Sequence, residues 1–214
     1  MANYADPRGV RKACGLDEAD APDADLQYYI EMADTLVMEN VAIRRIGETL
    51  SGNINGINST FECGHRYIAD TDFDCSVSTS EVTVYAWGNR DYLNTRIEWG
   101  VGSLDSNEGK IYLSSVPPAS YDVITMDYYF YKNKPSWFLL KRAANFYAAY
   151  DYIFSEYLLL PRSVRHGALS WTQVKPYIDL KQRFEDAISQ FNYKIVVKRE
   201  HPSIEMGEKY LNEY

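Results

Sequence analysis

Six oxygen-bearing side chains alternate along one short stretch of the chain: Asp70, Asp72, Asp74, Ser76, Ser78 and Glu81. They occupy positions one, three, five, seven, nine and twelve of a calcium-loop template, with apolar Val77 at position eight. Oxygen ligands at alternate positions wrap a hard cation, and a distal Glu closes the shell with both of its oxygens. Two features depart from the template. Position six, where the tight turn asks for Gly, is Cys75, and the flanks pattern as strands rather than helices. The stretch therefore reads either as a structural calcium loop, with Asp70, Asp72, Asp74 and Glu81 as ligands, or as an acidic loop leading into a strand. No other cofactor is expected.

A softer ligand set lies beside it. Cys63-Gly64-His65 and Cys75 offer three zinc-type ligands, whereas a closed zinc site takes four, so Asp72 or Asp74 would have to complete it. The competing reading is two thiols and an imidazole with no common task. The three histidines are His65, His166 and His201, and no Gly-x-Ser-x-Gly elbow, Walker loop or Gly-x-Gly-x-x-Gly stands near them. No enzyme is expected. Arg162, Arg165 and His166 form a small basic loop, suited to DNA phosphates or an acidic partner and otherwise merely solvated.

Composition narrows the classes further. Thirty acids against 22 bases give a formal charge of −8, the wrong sign for a dedicated nucleic-acid binder. Nineteen of the aromatic residues are tyrosines, whose large rings and polar tips suit interfaces and half-buried sheets. Three cysteines make no disulfide framework. The opening residues Met-Ala-Asn-Tyr-Ala-Asp lack a signal-peptide pattern, and no apolar run approaches the ~18 residues of a membrane span. The expectation is a soluble protein made in a reducing cytoplasm, with no membrane partner.

The elements that would position these residues fall into three blocks. Residues 1–50 and 135–192 read as a helical core of about four helices. Asp6-Pro7 starts the first helix and Gly15 stops it. Asp23 or Asp25 caps a second, with Leu26, Ile30, Ala33, Val37 and Val41 as a buried stripe, Arg44 and Arg45 at its end, and Gly47 closing it. Trp137, Leu140, Ala144, Tyr147, Ala148, Asp151 and Phe154 run down a crowded central helix. Ser170 caps the last one, with Val174, Ile178, Phe184 and Ile188 inward. Residues 51–134 read as an inserted antiparallel β lobe, a meander or small barrel, with strands at 81–87, 95–101, 110–114 and 121–131. Residues 193–214 are a strand (Lys194, Ile195, Val196, Val197, Lys198) and a polar tail. The fold class expected is α+β: a helical bundle, an inserted β lobe and an extended C-terminal tail.

The stretch from Asp6 to Val41 resembles the start of head–tail connector proteins of tailed viruses, also called adaptor or head-completion proteins. The resemblance rests on a short helix ending in Gly15-Leu16, an acidic loop, and then Asp23 and Leu26 opening a helix with Ala33 near its middle. The helix from Trp137 to Tyr157 is similar to the family's central packing helix, so the likeness covers about half the chain. The resemblance implies a virion neck protein, assembled in the host cytoplasm. About twelve copies would form a ring beneath the portal protein, extend the channel for passing double-stranded DNA without reading its sequence, and meet a neck or tail-completion protein. It also implies portal docking through the C-terminal segment, with Lys194, Ile195, Val196, Val197, Lys198, Tyr210 and Tyr214 as the contact residues. Two other expectations compete with it: a carbohydrate- or ligand-binding β module on a helical scaffold, and a metal-dependent enzyme using the Asp70–Glu81 loop.

Overall fold

The structure, a computed structural model, describes residues 3–88, 96–157 and 176–193. Arg162, Arg165, His166, Ser170, Val174, His201, Tyr210, Tyr214 and the Lys194–Lys198 segment lie outside the described residues. Among those described, four helices and two antiparallel sheets make a mixed α+β fold.

Helix α1 (Pro7–Cys14) forms as its sequence predicts. Asp6 caps it, accepting the Gly9 N–H at 2.8 Å, and Gly15 ends it in the left-handed conformation at φ 73°. Gly9, a weak helix former, has a packing reason to be there. A Cβ at that position would stand 2.5 Å from Asn145 Nδ2, so the glycine lets α1 cross close to the third helix.

Helix α2 (Asp23–Val41) buries the expected stripe: Leu26, Ile30, Ala33, Val37 and Val41 are almost wholly enclosed. Its cap is not Asp23 or Asp25. Both sit in the first turn after Pro22, where their charge favours the positive end of the dipole. The helix also ends earlier than expected. Residues Ala42–Thr49 form strand β1, so Arg44, Arg45 and Gly47 belong to a sheet rather than to a helix end. The cause is long-range. Ala42–Arg45 pair in register with Tyr131–Tyr128, and Gly47, at φ 66°, sits in the irregularity between Arg45 and Glu48.

The larger sheet runs β1, β7 (Tyr121–Tyr131), β3 (Thr83–Gly88), β4 (Arg96–Trp99). The smaller runs β2 (Thr60–Glu62), β6 (Lys110–Leu113), β5 (Val101–Asp105). This is not a simple meander, since the first strand pairs with the last. The expected strand at 95–101 divides at Gly100, where the chain leaves one sheet for the other. Val84, Ile124 and Met126 from the larger sheet meet Phe61, Ile111 and Leu113 from the smaller in one apolar cluster.

Helix α3 (Trp137–Tyr152) continues into a π-helical turn, Ile153–Tyr157. It packs against α1, α2 and α4 (Pro176–Tyr193), a hub position its small residues make possible: Ala143, Ala144, Ala148 and Ala149 are buried. Trp137 and Tyr147 are half-buried, and Phe154 is exposed. On α4 the inward face is Leu180, Phe184, Ala187 and Phe191, with Ile188 half-buried. Ile178 stands 56 % exposed, contrary to expectation, because Leu180 takes the inward position of that turn. No described helix is long and apolar enough to cross a membrane.

Candidate functional site

The acidic loop takes shape around Asp70, which is fully buried. Its two carboxylate oxygens accept the N–H groups of Phe73 at 2.8 Å and Cys75 at 2.7 Å. Asp72 accepts from Asp74 N at a long 3.4 Å, and Asp74 accepts from Ser76 N at 2.7 Å. Phe73 and Cys75 both adopt the left-handed conformation, at φ 66° and 65°. Cys75 therefore makes the turn that the template reserves for Gly, at a cost of about 1–2 kcal/mol that the Asp70 bonds offset.

This wrapping brings Asp70, Asp72 and Asp74 together. One oxygen from each lies within 4.8 Å of the others, a spacing that fits around a calcium-sized cation. Glu81 does not join them. Its oxygens accept Thr71 N and Ser78 N, both at 2.7 Å, and with the Ser78 side chain it closes a capping box over a single 3₁₀ turn, Thr79–Glu81. The residue expected to close a calcium shell instead closes the loop's own backbone. Burial pushes the Glu81 carboxyl up to about 7 and raises Asp70 as well.

The softer ligands are not gathered. Cys63 packs in the β cluster and its thiol donates to the His65 carbonyl at 2.9 Å, whereas Cys75 packs against the helical core. His65 belongs to a different constellation. Its Nδ1 lies 3.1 Å from Glu48 Oε2 and 2.9 Å from the Tyr128 hydroxyl, which itself donates to Glu48 Oε2 at 2.8 Å. Gly64 N–H donates to the other Glu48 oxygen, and the imidazole stacks on Phe130 at 3.9 Å. A carboxylate orienting an imidazole is half of a nucleophile-activating relay. The Cys63 thiol, however, points at a carbonyl and is held protonated by burial, which also raises Tyr128. Among the described residues this cluster joins β1, the turn after β2 and β7.

A second buried network was not anticipated. Asp34, fully enclosed on α2, accepts the backbone N–H of Tyr4 at 3.2 Å and of Ala5 at 3.1 Å. The Tyr4 hydroxyl lies 3.0 Å from both the Asp70 carbonyl, to which it donates, and the Tyr131 hydroxyl. Burial pushes the Asp34 carboxyl up to about 7 despite its two backbone donors. The sequence does carry a signal for it: an acid at the inward position between Ala33 and Val37 must be satisfied internally.

The aromatic face of β3 also has an occupant. The Arg96 guanidinium lies 3.3 Å from the Tyr85 ring centroid and 5.5 Å from that of Trp87, and pairs with Asp127. All three cysteines are free, and Cys14 is pushed up to about 12 by burial.

Compared with known proteins, the chain matches no protein-family model and no curated sequence.

Proposed function

We propose that this chain is a structural virion protein, a head–tail adaptor of a tailed virus. In this reading a ring of about twelve copies docks beneath the portal, extends the DNA channel and connects to the neck. The observation that carries it is where the family-like residues fall. Gly15 makes the left-handed stop of α1, Leu26 and Ala33 are wholly buried on α2, and the helix after Pro135 is the hub that three other helices touch. The resembling positions are thus the joints of the helical part. The β-rich residues between α2 and α3 form an inserted lobe facing the next ring or the exterior. The segment after Tyr193 reaches the portal through Lys194–Lys198, Tyr210 and Tyr214, while Arg162, Arg165 and His166 touch DNA or a partner. An acidic subunit lining a channel lets like-charged DNA slide.

The sugar-binding reading is weaker, because a ring sugar would have to displace Arg96 from Tyr85. An enzymatic metal site is weaker too, because Glu81 is committed to its capping box. The test is particle mass by mass photometry, alone and with the portal ring of the same virus. A gain of about twelve subunits on the portal is expected. A monomer that ignores the portal sinks the proposal.

A further inference from the structure

Charge is segregated along this chain more sharply than its net value suggests. Residues 17–39 hold eight acids and no base, while residues 128–150 hold four bases and no acid. In the fold these become two helix faces. On α2, Asp25, Tyr28, Met32, Thr35 and Glu39 recur at helical spacing and all are exposed, Tyr28 at 62 % and Met32 at 46 %. On the first turns of α3, Phe138, Lys141 and Arg142 share an exposed face, Phe138 at 70 %, with Lys132 and Lys134 just ahead of the helix. The α2 face thus carries Tyr28 and Met32 among exposed acids, and the start of α3 carries Phe138 among four exposed bases. Among the described residues, none of Asp25, Glu39, Lys132 and Lys134 is in an ion pair.

Both faces belong to elements whose other sides are already consumed by the helical core, so what remains is outward. Tyr28 and Phe138 are large rings left in water, the residue type that anchors interfaces when enclosed. Surrounding them with opposite charges gives attraction between the two faces and repulsion of each face from itself. Two copies of one face cannot pair, so a twofold contact through either is disfavoured. Joining one face to the other is a heterologous contact, which repeats around a ring when the rotation closes. Resting on the adaptor reading, we propose that the acidic α2 face of one copy docks on the basic α3 face of the next, Tyr28 and Met32 meeting Phe138 within a charged rim.

The experiment uses two full-length variants and the wild type, followed by analytical ultracentrifugation with and without the portal ring. One variant carries Glu31→Lys, an exposed acid one turn after Tyr28, and Glu39→Lys; the other carries Lys134→Glu and Arg142→Glu. Each alone opposes like charges at every contact and should raise the concentration of half-assembly by about tenfold or more. Mixed in equal amounts, the two should assemble as the wild type does, since every contact in an alternating ring is again between opposite charges. A misfolded variant cannot be rescued by its partner, and circular dichroism of each checks the fold directly. Variants that assemble like the wild type, or a mixture that stays dissociated, overturn this surface while leaving the adaptor reading standing. A wild type that forms no ring with or without the portal overturns both.

Discussion

Asp34 gives the fold a stability that should fall as the solution becomes less acidic. In the unfolded chain its carboxyl titrates near 3.8, and in the fold at about 7, because complete burial disfavours the charge more than the Tyr4 and Ala5 N–H groups favour it. A raised folded value means the native state holds the proton more tightly than the unfolded one between those two limits. The contribution is therefore complete below pH ~4 and is lost as pH rises through about 7. A difference of about three pH units corresponds to ~4 kcal/mol, an upper figure for a carboxyl that keeps two donors. Asp34→Asn is a fixed mimic of the protonated acid. Below pH 5 it should cost about 1–3 kcal/mol, since the amide turns a donor towards one backbone N–H. Above pH 8 that cost should shrink towards zero or reverse. Urea unfolding at pH 5, 6, 7 and 8 reads the difference, and comparison with wild type removes the general repulsion of a chain of charge −8. Parallel pH profiles for the two proteins would refute the assignment of a buried, proton-holding Asp34.

Two further outcomes can be checked on the isolated protein. Gly9→Ala gains up to ~1 kcal/mol of helix propensity but drives a methyl into Asn145 and costs its bond to Asp6 N, so a net loss of about 1–2 kcal/mol and a fall in melting temperature of about 2–8 °C are expected by calorimetry. An unchanged or higher melting temperature would mean that α1 and α3 do not approach so closely. Calcium at about 1 mM should move the melting temperature by less than ~1 °C, because three gathered oxygens with Glu81 engaged elsewhere fall short of the six to eight the ion takes. A larger rise, abolished by Asp72→Asn with Asp74→Asn, would show that the capping box opens to close a shell.

What the sequence made legible is what short-range physics decides. The stripe from Leu26 to Val41 and the Asp6 and Gly15 caps of α1 depend on neighbours within a turn or two, and the fold keeps them. Strand β1 was hidden because its partner lies more than seventy residues away. Arg44, Arg45 and Gly47 suit a helix end by every local rule, and only pairing with Tyr128–Tyr131 overrides them. The acidic loop held two overlapping motifs, a calcium template and the Ser78–Glu81 capping box. The fold forms the box, in which the buried Glu81 accepts two backbone N–H groups without needing an ion. The charged faces of α2 and α3 were equally present in the sequence. Their meaning depends on which sides of those helices the core leaves uncovered, and that is a tertiary fact.

The ring proposed above would place a further demand on the chain. Closing about twelve copies requires each contact to turn the next subunit by about 30°, so a few degrees of play within a subunit, repeated around the circle, would prevent closure. The helices and sheets therefore need a stiff joint, and Tyr4 supplies one. From a single residue, its N–H is held by α2, its hydroxyl by the acidic loop and β7, and its ring lies edge-on to Phe73 at 5.2 Å. Helix α2 also runs into β1, and Ala69 N–H donates to the Tyr129 carbonyl, so the loop carrying Asp70 cannot shift without dragging β7. The same reasoning assigns the acidic loop a job that needs no metal. Asp70 fixes the turn, the turn presents its carbonyl to Tyr4, and Tyr4 locks the N-terminal segment beneath α2. Buried carboxyl groups that would be costly in isolation are retained because each ties two backbone N–H groups into a single geometry.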